Sequence, residues 1–176
     1  MKKQTNKQTI DYWLDPKTMQ FVGDFEGMYR NIDDPWGCRE VASSLNNNIL
    51  LDLIEDIASK KGISLHDLGC GLGHFAIRIK ERLESFPIED FKVSGSDVAS
   101  SAISKAKRIK GIDFYVCDIQ SDVLRQQYNV IVMSEVLWYL LENLEFSFEN
   151  IRNSLSPAGT LIIKQYFPEK QNYGKE

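Results

Sequence analysis

From Asn46 to Ser59 the apolar side chains fall at Ile49, Leu50, Leu53, Ile54 and Ile57, with Asp52, Glu55, Asp56 and Ser59 between them. That spacing predicts an amphipathic helix with those five residues turned inward. Lys60, Lys61 and Gly62 suit its C-terminal end, since cations complement exposed carbonyls and glycine tolerates a left-handed turn. The period then changes. Ile63 to Leu68 reads as a short strand, and His74 to Leu83 as a helix with Phe75, Ile79 and Leu83 on one stripe. The unit repeats: Phe91 to Asp97 predicts a strand ending in a carboxylate. Ser100 to Ile109 predicts a helix capped by Ser100, with Ala102, Ile103, Ala106 and Ile109 inward. Ile112 to Asp118 is a third strand, again ending in Asp, and Tyr128 to Val136 is apolar enough for a central strand covered on both faces. Leu144, Phe148, Ile151 and Leu155 mark another helix, "SPAG" at Ser156 to Gly159 a turn, and Thr160 to Phe167 a fifth strand. Strands alternating with helices imply an α/β, doubly wound fold: a mostly parallel sheet with helices on both faces.

Residues 1–45 break this rhythm. "YWLD", "FVGDFEGMYRN" and "DDPWGC" are rich in aromatics and turn formers without sustained periodicity, which fits either a lid over a site or an N-terminal cap over the sheet. We therefore divide the chain into a segment 1–45 and a domain 46–176. Composition narrows the function. With 21 basic and 25 acidic residues the net charge is −4, which argues against a general nucleic-acid binder. No apolar run is long enough for a signal peptide core or a membrane span, so a cytoplasmic protein is expected. Cys38, Cys70 and Cys117 are odd in number and widely spaced, and His66 and His74 lack ligand partners at metal spacing, so neither a disulfide framework nor a metal is expected.

The candidate chemistry begins at "LHDLGCGLGHFA", Leu65 to Ala76. Gly69, Gly71 and Gly73 sit between a strand and a helix, where a ligand can touch bare backbone and the helix presents unpaired N–H groups to an anion. A tight strand-to-helix turn is the plainer reading. The third glycine arrives one residue early for the dinucleotide fingerprint G-x-G-x-x-G, and no phosphate loop of the G-x-x-x-x-G-K-[ST] type occurs, so a pyrophosphate, and with it a nicotinamide-dependent dehydrogenase, is disfavoured. Asp97 ends the second strand, where a carboxylate can hold both hydroxyls of a ribose. Asp118 ends the third, where it suits the exocyclic amine of an adenine. Each could instead be a turn or cap residue; together, after a glycine loop, they favour a nucleoside.

The segments "LHDLGCGLG", "SGSDVASSAISKAK", "FYVCDI", "YNVIVMSEVLWYL" and "LSPAGTLIIK" resemble the successive motifs of class I S-adenosylmethionine-dependent methyltransferases, over about Ile63 to Phe167. The resemblance implies a Rossmann-like sheet of order 3-2-1-4-5. It also implies that Asp67 with Gly69, Cys70, Gly71 and Gly73 faces the methionine part of the cofactor, Asp97 and Val98 the ribose, Asp118 and Ile119 the adenine, and Ser134 with Glu135 the sulfonium. "DDPWGC" is similar to a small-molecule subgroup that includes the nodulation N-methyltransferases. This suggests that Trp36 closes over the cofactor and that Arg30 or Arg39 meets its carboxylate, buried and solvated roles being the alternative. Glu135 is the position-based candidate for a general base, and lining the cofactor site or capping a turn is its other reading. His74, Tyr29, Lys164 and Tyr166 follow it.

Where nucleic-acid aminomethyltransferases carry a D/N-P-P-Y-like turn, this chain has "SEVL", so a sugar, metabolite or natural product is the expected methyl acceptor, through N or O. Class I domains add two strands after the fifth, and only "PEKQNYGKE" follows Phe167. A five-stranded sheet is therefore expected, with its last edge covered by the N-terminal segment or a second copy, because a bare edge invites pairing. A cofactor-binding module, or a truncated enzyme without turnover, is the competing reading.

Overall fold

The computed structural model describes residues 7–41, 44–58, 63–88, 90–167 and 169. Five parallel strands, β1 (Ile63–Leu68), β2 (Phe91–Asp97), β3 (Asp113–Val116), β4 (Tyr128–Ser134) and β5 (Leu155–Lys164), line up in the order β3-β2-β1-β4-β5. That is the expected sheet. Among the described residues no sixth strand joins it, and β5 forms one edge. The apolar run of β4 earns its central place: Val130, Ile131, Val132 and Met133 are wholly buried and alternate between the two faces.

The two faces are covered unequally. Helices α4 (Leu45–Ala58), α5 (His74–Glu84) and α6 (Ser100–Ala106) pack one face through Leu50, Ile54, Ile79, Leu83 and Ile103. On the other, α7 (Leu144–Asn153) is the one α-helix among the described residues, and Ile119, Leu124 and Leu140 from the connections complete the layer. On this face His66 is fully buried between the hydroxyls of Ser94 and Ser96, each 2.8 Å from a ring nitrogen, and its ring lies 4.7 Å from that of Tyr128. Burial alone holds the imidazole down at about 3, so it is neutral. His66 thus pins the β1–β2 register from inside the core.

Several local expectations shift. On α4 the buried stripe is Asn47, Leu50, Leu51, Ile54 and Ala58, whereas Ile49 and Leu53 are 60% and 45% exposed. The apolar arc of this helix is wider than the surface that the sheet and α5 cover. Its expected C-terminal cap at Lys60 to Gly62, with Ser59, lies outside the described residues. The N-cap of α6 is Ala99, not Ser100: Asp97 Oδ1 accepts from Ala99 N and leaves Ser100 free to donate to Glu26. That helix also ends at Ala106, with Ile109 in the following turn still packed on the core. Strand β3 stops at Val116 because Cys117 and Asp118 turn away, and β4 stops at Ser134 because Glu135 adopts φ +61. "SPAG" is a bulge inside β5 rather than a turn before it: the partner of Tyr128 is Leu155 and that of Val130 is Thr160, with Ala158 at φ +60. Leu155 accordingly belongs to β5, and the strand ends at Lys164 because β4 offers no residue beyond Ser134.

The N-terminal segment forms α1 (Ile10–Trp13), α2 (Phe25–Asn31) and α3 (Cys38–Val41). Its anchor is α2, where Met28 and Tyr29 pack on Ala99 and Ala102 of the β2–α6 unit. Glu26 reinforces this by accepting from Ser101 N at 2.9 Å, Ser101 Oγ at 2.6 Å and Ser100 Oγ at 3.1 Å, supplying from outside the cap that α6 lacks. Those donors pull its carboxyl down to about 2.

Candidate active site

At the carboxyl ends of the strands lies a cavity of about 580 Å³. Its wall follows the sheet order: Asp118 and Ile119 after β3, Asp97 and Val98 at β2, Asp67, Gly69, Cys70 and Gly71 at β1, Ser134 and Glu135 at β4, and Lys164 at β5. Trp36 lines it from the N-terminal segment. The structure thus brings together the residues expected at the site except Gly73, the two arginines and Tyr166, which is exposed and off the cavity wall. That glycine caps α5 at φ +79, and a Cβ there would stand 2.7 Å from Phe114 Cζ, so its bareness serves helix packing. Arg30 and Arg39 are also absent from the cavity wall. They are exposed and paired with Glu26 and Asp33, which places both guanidinium groups on the outer surface.

The glycine loop is roofed by a residue that its own segment does not announce. Tyr29 is buried, and a Cβ on Gly71, which stands at φ +52, would come within 2.6 Å of its hydroxyl oxygen. Trp36 Nε1 donates to that oxygen at 3.1 Å, so the hydroxyl is fixed and its own hydrogen remains to be donated. Cys38, Asn47, Phe21, Phe25 and Tyr139 also line the cavity, and sequence reading does not find them. Each reaches the cavity through tertiary docking, with no local motif around it. A faint signal existed for Tyr29, since Glu26 and Tyr29 lie one helical turn apart.

The loop region carries two buried carboxyl groups. Asp67 is buried, and burial, followed by the charge of Asp97, pushes its carboxyl up to about 7 against the opposing N–H of Ala76 at the start of α5. Its Oδ2 has no hydrogen-bond partner among the described residues. Burial also raises the carboxyl of Asp97, although Gly71 N donates to its Oδ2 and Ala99 N to its Oδ1, both at 2.9 Å. Neither carboxylate has an ion-pair partner among the described residues. Two buried carboxylates with an unmet oxygen call for a ligand that brings N–H and O–H groups and positive charge. Asp118 takes part in a turn, accepting from Gln120 N at 3.0 Å, and still lines the cavity. His74 lines it too, with Nε2 buried and unpartnered among the described residues. Burial raises the thiol of Cys38, to about 11, and those of Cys70 and Cys117, so none is poised as a thiolate.

The β4 and β5 ends are braced. Glu135 N donates to Lys164 O at 2.8 Å, and Glu135 Oε2 accepts from Gln165 Nε2 and Tyr166 N, both at 3.0 Å. Lys164 Nζ donates to Asn47 Oδ1 at 2.9 Å and to Ser134 Oγ at 3.3 Å, and stands 3.5 Å from Glu135 Oε1. This network holds Glu135 in its left-handed conformation at the cavity wall.

A 3-2-1-4-5 parallel sheet with a glycine loop after β1 and carboxylates at the ends of β1 and β2 defines a class I methyltransferase domain, and the chain belongs to the methyltransferase-domain family, whose profile matches residues 59–173. Its particular relatives follow. It is 27% identical over 140 residues to nodulation protein S of Bradyrhizobium diazoefficiens, an alignment covering 75% of this chain and 62% of that protein. It shares its fold with a TehB-like S-adenosylmethionine-dependent methyltransferase from Corynebacterium glutamicum, at TM-score 0.61 and 24% identity over 78% of this chain and 72% of the other. The same fold occurs in the N-methyltransferase NodS from Bradyrhizobium japonicum in complex with S-adenosyl-L-homocysteine, at TM-score 0.58 and 21% identity over 78% and 71% of the two chains. The chain spans less than two thirds of the length of the curated relatives it matches first.

Proposed function

We propose that this chain is an S-adenosylmethionine-dependent methyltransferase acting on an N or O atom of a small molecule such as a sugar, metabolite or natural product. The observation that carries the reading is the buried Asp67–Asp97 pair against the glycine loop, with Asp67 Oδ2 unpartnered. An α-ammonium on Asp67 and ribose hydroxyls on Asp97 meet that need, and the related NodS structure holds S-adenosylhomocysteine. Asp118 and Ile119 stand where an adenine would lie, Gly69, Cys70 and Gly71 offer backbone, and Val98 flanks the ribose. Ser134 borders the reacting end. The Tyr29 hydroxyl, with Trp36 fixing it, takes the role of donor to the cofactor carboxylate that sequence reading gave to an arginine. When bound, the cofactor supplies an activated methyl group, and the protein supplies position, worth on the order of 7 to 11 kcal/mol in well-oriented systems.

Glu135 is the residue for proton removal from the acceptor, since it lines the cavity at the end of β4 and its Oε1 accepts no hydrogen bond among the described residues, while Oε2 is occupied. The described residues of the 1–45 segment cover the site of the 46–176 domain. We place the protein in the cytoplasm, where its unpaired cysteines stay reduced; no helix among the described residues is long and apolar enough to cross a membrane. The bare edge of β5 pairs with a second copy. Mass spectrometry of ligand carried through purification tests the cofactor reading: S-adenosylmethionine or S-adenosylhomocysteine is expected, and a nicotinamide dinucleotide would overturn it. If the chain binds S-adenosylmethionine yet yields no S-adenosylhomocysteine with any acceptor pool, it is a binding module instead.

A further inference from the structure

The cavity is longer than its glycine-loop half, and the far half has a chemistry of its own. The proposed cofactor occupies the stretch from Asp118 through Asp97 to Asp67, so the acceptor falls to the ends of β4 and β5. Tyr139, in the turn after β4, joins Phe21 and Phe25 in an aromatic wall of the same cavity that continues to Trp36: the Phe25 and Tyr139 rings meet edge to face at 4.9 Å, those of Phe21 and Tyr139 stack at 6.3 Å, and Tyr139 lies 6.1 Å from Trp36. These rings come from both the N-terminal segment and the turn after β4, so the wall exists only once the segment is docked.

The polar groups of this half are already committed, with one exception. Lys164, the one lysine or arginine on the cavity wall among the described residues, directs its ammonium at Asn47 Oδ1, Ser134 Oγ and Glu135 Oε1. Trp138 Nε1 donates to Tyr166 O at 3.3 Å. Glu135 Oε2 is filled by Gln165 and Tyr166 N, but Oε1 meets only the Lys164 ammonium, at 3.5 Å, among the described residues. A carboxylate oriented by three neighbours therefore keeps one oxygen that no hydrogen bond among the described residues fills, on a cavity that also carries an aromatic wall, and the neighbouring cation is spent. An anionic acceptor finds no free cation and meets a like charge; a donor finds a fixed partner.

We infer that the methyl acceptor is an amine or hydroxyl carried on a flat apolar framework, its N–H or O–H donated to Glu135 Oε1 and its face laid against Tyr139 and the two phenylalanines, and that free carboxylates are rejected. The inference rests on the cofactor reading above, which assigns the other half of the cavity. Gln165 acts as a positioning residue, because it orients the Glu135 carboxylate without facing the acceptor itself.

The test is binding. Phenol, benzylamine and benzoate are titrated into the full chain saturated with S-adenosylhomocysteine and followed by ligand-observed NMR. Phenol and benzylamine should bind about tenfold more tightly than benzoate, the size of one net hydrogen bond to a charged group. In Glu135→Gln, which keeps an oxygen for Gln165 and Tyr166 N, that preference should fall to near unity. In Tyr139→Leu the preference should remain while phenol and benzylamine both weaken several-fold. Equal or tighter binding of benzoate, an unchanged preference in Glu135→Gln, or no binding by any of the three probes overturns the inference. Failure of S-adenosylhomocysteine itself to bind is a different result, and strikes the cofactor reading instead.

Discussion

Asp97 has two jobs. It accepts from Gly71 N and Ala99 N, which shapes the glycine loop and starts α6, and its position at the end of β2 suits a pair of ribose hydroxyls. Asp97→Asn keeps the shape and much of the hydrogen bonding, so the sharper test is Asp97→Ala. Cofactor affinity should fall by roughly 2 kcal/mol, about thirtyfold in dissociation constant, with calorimetry as the readout. Unchanged affinity would show that Asp97 serves the loop alone. Sequence reading reached Asp97 and Asp118 because a carboxylate at a strand end is a local feature, and Asp67 through the resemblance of its motif. It missed Tyr29 as the roof of Gly71 because that contact joins residues far apart in the chain, across the docking of α2 on α6. Gly73 lies off the cavity wall, and its bare backbone also answers to Phe114 and Ile109.

Among the elements, β1 and β2 are tied by the buried His66 between Ser94 and Ser96. The folded imidazole titrates at about 3 and the unfolded one near 6.5, so the unfolded chain takes up the proton first as pH falls. Its contribution to stability is complete above pH 6.5 and is lost as pH falls toward 3, by up to about 1.4 kcal/mol per pH unit. Asp67 runs the other way: its carboxyl is raised in the fold, so its contribution is complete below about pH 4 and is lost as pH rises through 7. Urea midpoints of the wild type and of His66→Asn, compared from pH 7 to pH 5, separate the two. The advantage of the wild type should shrink with acidification, and a constant difference would contradict the assignment. The strands were legible in the sequence because runs such as that of β4 have a single burial solution. Helix faces and ends were not. Ile49 and Leu53 satisfy the helical period on α4 as well as Leu50 and Ile54 do, and which arc is covered depends on the sheet and α5 alongside.

At the scale of the molecule, the N-terminal segment and the sheet form one site. Glu26 and Tyr29 of α2 hold the segment to α6 and to the glycine loop, and its rings Phe21 and Phe25 line the same cavity. The sequence left a lid and a cap open for this segment, because periodicity carries no information about which strand ends a segment will cross. Among the described residues β5 is an edge strand, whose Thr160 to Ile163 stretch carries no charge, and Leu45, Ile49 and Leu53 form an exposed apolar stripe on α4. Sedimentation velocity should show concentration-dependent self-association, and a monomer at every concentration would contradict pairing through this edge.

The central claim is that the loop half of the cavity holds a cationic, hydroxyl-rich nucleoside on Asp67 and Asp97. Calorimetric titration with S-adenosylhomocysteine at pH 6 and pH 8 tests it most directly. Because the Asp67 carboxyl sits at about 7 and the ligand's ammonium favours its ionised form, binding should be one to one, about tenfold tighter at pH 8, and accompanied by proton release at pH 6. Absence of binding at both pH values would contradict the account, as would equal affinity with no proton released.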